Sequence, residues 1–220
     1  MRKLKLGCSI SNLYMGILMY ADDVLLLSSS CIELQNMLNI CSDIGSDLGI
    51  QFNGNKSKCL FIGKNKFNSL NCRLSINNVD LVWCDKLKYL GTYIKSDKSF
   101  KIDFSDMKGK YFASLNSILS RTKFCSDLVK LELIEKHCFP LLLYCIEVFN
   151  LDSCELCEIN VCANAIYRKI FGYNKWESVK QCIYYLGRLD IFHIYKLRKI
   201  LISKVFKIQL AQYYVIFFTF

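Results

Sequence analysis

Two adjacent aspartates, Asp22 and Asp23, stand in "LMYADDVLLLSS", Leu18 to Ser29, between apolar runs long enough to be strands. Carboxylates paired at a hairpin tip repel each other and resist desolvation unless a cation or a hydrogen-bond donor compensates them. A divalent metal would do that. The alternative is a solvated turn, because Asp tolerates turn conformations and bonds its own backbone. Two-residue hairpin loops favour Asn-Gly or Asp-Gly, since glycine takes positive φ without cost. No glycine relieves this turn.

A second cluster with metal-ligating residue types is "CELCEINVC", with Cys154, Cys157 and Cys162. A zinc site normally has a second close ligand pair. None follows, His137 and His193 lie far away, and the pattern from Leu151 to Ile170 is helical. The 13 cysteines are scattered over apolar positions of a chain with no signal peptide at its start. They are expected to be reduced and to fill the core.

Several elements must position these residues. Ile17 to Tyr20 and Val24 to Ser28 are short, apolar and bounded by polar residues, as buried strands are. Ser30 and Glu33 form a capping-box pattern that opens a helix. Leu34, Leu38, Cys41, Ile44 and Leu48 recur at helical spacing within it, and Gly49 offers a C-terminal cap. "KSKCLFIG" after "FNGN" returns to strand, and "RLSI", "VDLVW" and "KYLGTYI" are strand pieces separated by Asn-Asn and Cys-Asp turns. From Asp103 onward the pattern is amphipathic and helical, over 104–120, 126–149, 152–171, 176–186 and 190–210. Pro140, the only proline, should kink or divide the second of these helices. The expected fold is therefore α+β over residues 1–95 and all-helical over 96–220, without internal repeats.

At 220 residues and 53% hydrophobic content the chain is long and apolar enough to fold as one large domain or two small ones. No run reaches the roughly 18 apolar residues of a membrane span. The tail "IQLAQYYVIFFTF" comes nearest, and it is either a buried terminal segment or a non-native extension. The net charge of +10 suits a polyanionic partner, a nucleic acid or an acidic membrane surface. Residues 50–130 hold 15 Lys or Arg against 6 Asp or Glu, interleaved with Phe52, Phe61, Phe67, Trp83, Tyr89 and Tyr93. That mixture suits phosphate binding with base stacking, or a charged face over an aromatic core.

In order, "YADD" between strands, a capped helix, "LGIQFNGNKSKCLFIG" and "KLKYLGTYI" resemble the palm of reverse transcriptases of the non-long-terminal-repeat retrotransposons, the long interspersed elements. The resemblance spans roughly residues 5 to 95. The helical remainder, with "AIYRKIFGYNKWESVKQCIYYLGRLDIFHIYKLRK", is similar to the region that follows the palm. It implies a truncated palm, an antiparallel sheet with a helix, followed by a thumb-like helical region. The implied activity is RNA-templated DNA synthesis, with an RNA template and a DNA primer as partners, no membrane, and two Mg²⁺ ions as cofactor.

By the same resemblance Asp22 would hold the metal ions, Asp23 would add field and metal-site structure, and Tyr20 would sit near the primer terminus. Lys56 would meet the phosphates of the incoming nucleotide, and Tyr89, Leu90 and Gly91 would form the primer grip. The expected location is intracellular, with the nucleus the natural place for such work. Family members carry another catalytic aspartate on an earlier strand, whereas no Asp or Glu precedes Asp22 here. The fragment is therefore expected to be inactive alone and poorly soluble through an exposed sheet edge. The alternatives are a non-catalytic remnant that binds RNA or an RNA/DNA hybrid, and a decayed element with no function.

Overall fold

The structure, a computed structural model, describes residues 6–10, 13–63, 72–205 and 214–219. It is a mixed α+β chain that divides into two compact units, Met1–Ile102 with Ile208–Phe220, and Asp103–Lys207.

The first unit opens with β1 (Ser9–Ile10) and β2 (Leu13–Tyr14), a small antiparallel pair. Next come β3 (Ile17–Tyr20), β4 (Asp23–Ser28), α1 (Cys31–Asp47) and β5 (Lys58–Phe61). β6 (Ser75–Ile76) and β7 (Val79–Asp80) pair through a turn in which Asn77 and Asn78 both take positive φ, 50° and 61°. Asn is among the few side chains that tolerate that region. β8 (Val82–Cys84), β9 (Lys86–Tyr89), β10 (Thr92–Lys95) and β11 (Lys101–Asp103) complete the run.

The second unit is helical, with α2 (Ser105–Arg121), α3 (Asp127–His137), α4 (Phe139–Leu142), α5 (Ser153–Phe171), α6 (Lys180–Tyr185) and α7 (Ile191–Val205). After it, β12 (Tyr214–Thr219) returns to the first unit. β12 lies in the middle of a five-stranded sheet of order β3-β4-β12-β5-β8 and runs antiparallel to both of its neighbours. Residues 214–219 of the tail thus form an internal strand, and the gap it fills divides the β3–β4 hairpin from the parallel pair of β5 and β8.

β4 is buried on both of its faces. Val24 and Leu26 face a core that includes Leu34, Met37, Leu38 and Cys41 of α1. Leu25 faces the opposite core with Leu60, Leu87 and Ile94. A strand buried on both faces needs an unbroken apolar run rather than an alternating one, and "VLLL" supplies it.

The cap of α1 is half of the expected box. Ser30 accepts a hydrogen bond from the Glu33 amide at 3.2 Å, but the Glu33 carboxylate instead accepts from the Gly7 amide at 2.8 Å and from the Ser28 hydroxyl. The glutamate thereby ties the helix start to the N-terminal segment. Cys31 and Cys72 form a disulfide with Cα atoms 6.1 Å apart, which corrects the expectation that all thiols are reduced. The two residues meet on the edge of the α1 core, a proximity that their separation of 41 positions hides.

In the helical unit Pro140 divides the segment expected over 126–149 into α3 and the short α4, after which the chain turns. Proline lacks the amide and stands in the first turn of α4, where no intrahelical partner is needed. α5 has the full capping box, Asp152 with Glu155, and ends on Gly172 at φ 70°. The helix expected from residue 176 begins only at Lys180. Tyr111 donates to the Cys162 carbonyl at 3.1 Å, which satisfies its buried hydroxyl and joins α2 to α5. Tyr195 of α7 donates to the Phe149 carbonyl at 2.9 Å and accepts from the Leu151 amide at 3.2 Å. Among the described residues no helix is long and apolar enough to cross a membrane.

Two outcomes are expected. Ile216→Pro removes an amide from a strand paired with Leu26 on one side and Cys59 on the other, and urea unfolding should register a loss of about 1–3 kcal/mol. Burial pushes the Cys59 thiol up to about 12 and the Cys8 and Cys41 thiols to about 11, whereas Cys125, Cys154 and Cys157 are exposed. Because the thiolate is the nucleophile, brief alkylation at pH 8 followed by mass spectrometry should mark the exposed three and spare the buried three.

Candidate functional site

The β3–β4 hairpin pairs Tyr20 with Asp23, leaving Ala21 and Asp22 as its two-residue loop. Ala21 takes φ 49°, the conformation that glycine would adopt without cost. Ala21 and Asp22 are exposed, Asp23 is half-buried, and Tyr20 stands 63% exposed beside them. The tip is thus not the buried setting the flanking residues suggest: the burial stops at Val24, one residue past the carboxylates. Water screens their mutual repulsion there, so the hairpin stands without a compensating cation.

A second hairpin packs against the core on the other face of β4. β9 and β10 pair antiparallel, with Tyr89 opposite Thr92, around a loop of Leu90 at φ 42° and Gly91 at φ 85°. Both loop residues have positive φ, the backbone that matches the right-handed twist of the strands. Thr92 closes the turn by donating its hydroxyl to the Tyr89 carbonyl at 3.0 Å. Burial, and after it the Asp23 carboxylate, raise the Tyr89 phenol above its ordinary value. The field of Asp23 therefore reaches Tyr89, although 66 positions separate them in sequence. Leu90 is 40% exposed and Gly91 is exposed, so the loop tip faces solvent.

The register of β12 brings in a third segment. Phe217 pairs with Leu25 of β4 and with Lys58 of β5, and Thr219 pairs with Asp23. The start of β5 therefore lies at the Asp23 end of the sheet, two ladder spacings across, which is about 10 Å. Lys56 is exposed in the turn just before β5, its amide held by the Asn53 side chain at 3.1 Å. Tyr20, Asp22, Asp23 and Lys56 thus lie at one end of the five-stranded sheet, while Tyr89, on a separate sheet, packs against the core of Leu25 and Leu60. The backbone of Thr219 beside Asp23 is the neighbour that sequence reasoning did not place there.

Among the described residues no group of three or more His, Cys, Asp or Glu side chains converges on a common point. Asp22 and Asp23 are oxygen donors of the type a hard cation takes. Cys154, Cys157 and Cys162 share α5, with Cys154 and Cys157 exposed and Cys162 buried. The aromatic residues named for stacking are mostly committed to packing. Phe52 and Trp83 pack against the α1 core and Tyr89 against the opposite one. Trp83 also donates to the Cys72 carbonyl at 2.8 Å, and Lys86 covers the Tyr93 ring at 4.2 Å. Phe67 lies outside the described residues.

No family model, curated protein or solved structure matches this chain. The functional argument therefore stands on the residues themselves.

The link between the two hairpins is measurable. Asp23→Asn should lower the titration midpoint of Tyr89 while leaving it above the ordinary phenol value, because burial, the larger cause, persists. Ring-labelled tyrosine NMR with Tyr89→Phe as the assignment control reads that shift.

Proposed function

We propose that this chain is a fragment of a reverse transcriptase of the non-long-terminal-repeat retrotransposon class, a partial palm followed by a thumb-like helical unit. Its family activity is RNA-templated DNA synthesis by two-metal nucleotidyl transfer. The observation that carries the reading is that Tyr89, which opens the "YLG" loop, packs on the same core as Leu25 of β4, two residues past Asp23 of the "YADD" hairpin. Those are the two motifs by which the sequence resembles the family. Lys56 at the same end of the sheet adds a cation where a polyanion would approach.

Asp22 and Asp23 fit one hard cation such as Mg²⁺, held at an exposed tip. They do not fit a two-ion clamp, which needs carboxylates from a second strand, and among the described residues no third ligand joins them. The backbone beside Asp23 on β4 belongs instead to β12. The chain as it stands is accordingly assigned nucleic-acid binding without polymerisation. Exposed Lys56 and the net charge of +10 serve that role through phosphate contacts.

Two measurements test this. Primer extension on an RNA template in Mg²⁺ or Mn²⁺ should give no product, and extension that Asp22→Ala abolishes would overturn the assignment of inactivity. Titration of a labelled RNA/DNA hybrid should show binding that weakens steeply with salt. In the same protein, Mn²⁺ should broaden the NMR signals of Asp22 and Asp23 selectively, and Asp22→Ala should remove that effect. Absence of both hybrid binding and selective broadening would remove the family reading.

A further inference from the structure

Trp176, Tyr184 and Tyr185 are 86%, 78% and 82% exposed, on the loop that follows α5 and on α6. Bare aromatic surface of this kind marks an interaction site more often than chance exposure does. The segment that carries them is held in place. Arg168 of α5 donates to the Glu177 carbonyl through Nε at 3.3 Å and Nη2 at 3.1 Å. The Glu177 carboxylate accepts from the Asn174 amide at 2.6 Å and from its side chain at 3.1 Å. The Cys182 thiol of α6 is near enough to Tyr173 to raise its phenol above the ordinary value, which sets the loop beside α6. Val179 and Ile183, one helical turn apart, are 1% and 5% exposed and turn that face of α6 inward. The rings of Tyr184 and Tyr185 meet edge to face on the outside, with centroids 5.7 Å apart.

Charge selects the partner. Between Arg168 and Arg188 the sequence has five basic residues and one acidic residue. That single carboxylate, Glu177, is occupied within its own turn. Arg188 is engaged by Glu132 and Glu135 and is not counted toward the surface. Lys175 lies over the Trp176 ring at 5.1 Å from its centroid, and exposed Lys180 precedes Tyr184 by one helical turn on the same face.

We propose that this surface, the 173–176 loop with the outer face of α6, binds single-stranded nucleic acid. Unpaired bases stack on Trp176 and on the Tyr184–Tyr185 pair, and Lys175 and Lys180 meet the intervening phosphates. A duplex does not serve, because its bases are already stacked on each other. The site uses neither Asp22 nor Asp23, so it stands or falls apart from the polymerase reading.

The chain has two tryptophans, Trp83 and Trp176. In the full chain carrying Trp83→Phe, titration with oligo-dT should quench the fluorescence of Trp176. Anisotropy of labelled oligo-dT should show affinity falling roughly tenfold or more in Trp176→Ala and in Tyr184→Ala/Tyr185→Ala, as loss of a stacking partner does. Lys180→Glu should weaken binding and flatten its salt dependence. Far-ultraviolet circular dichroism establishes that each exposed-site variant remains folded. The proposal is overturned by absence of quenching, by unchanged affinity in the aromatic variants, or by displacement of the oligonucleotide as readily by a DNA duplex or by polyglutamate. Polyglutamate displacement would assign the patch to an acidic protein surface instead.

Discussion

Burial of β4 on both faces is the constraint on which the first unit depends. One residue parity of that strand faces α1 and the other faces the β9–β10 hairpin, so neither core closes without it. Fully burying an apolar side chain of this size contributes roughly 1.5–3 kcal/mol, and three such residues stand in sequence at Val24, Leu25 and Leu26, with Leu27 half-buried after them. The strand has little freedom to slip, because a one-residue shift would exchange its two faces and mismatch both. A fixed register for β4 is also a fixed position for Asp23, its first residue. The rigidity of an apolar core is thereby delivered to a carboxylate at its rim.

The helical unit solves the same problem with polar contacts. The Tyr167 phenol donates to Glu135 at 3.1 Å, and Glu135 in turn pairs with Arg188 at 2.9 Å. Burial raises the Tyr167 phenol further, with the Glu135 charge acting in the same direction, so the hydroxyl remains a donor across the ordinary pH range. The Leu143 carbonyl, beyond the end of α4, accepts from Arg198 of α7 at 2.7 Å. The break at Pro140 is thus matched by a side chain brought from a later helix, which satisfies a carbonyl that the interrupted helix leaves over.

Local elements were legible in the sequence because their causes are local. The β3–β4 hairpin, the extent of α1, the extent of α5 and the division at Pro140 all follow from patterns within about one element's length. What escaped depends on distant residues. Glu33 left the expected box because Gly7 and Ser28 offered donors to its carboxylate. Cys72 meets Cys31 from 41 positions away in the chain. The residues from 176 to 179 carry a helical pattern, but Arg168 captures the Glu177 carbonyl and Glu177 captures Asn174, so a turn forms in its place. Of the candidate site, residue types and the two hairpins were readable. The packing of Tyr89 on the core it shares with Leu25 of β4 was not, since residues distant in sequence build that core.

The placement of β12 has a consequence for how the molecule is made. Every other strand of the five-stranded sheet precedes residue 85, yet the strand that joins its two halves comes after the entire helical unit. On a ribosome the β3–β4 hairpin and the β5–β8 pair emerge early and must wait, with the edges that will receive β12 open, until the helices have been synthesised. Such non-local closure is slow, because the entropy of a long loop is lost before any contact rewards it. The helical unit, built from nearby contacts, can form during that interval. Closure of this sheet is therefore a late and vulnerable step, and the open edges invite strands from neighbouring chains until residues 214–219 are in place.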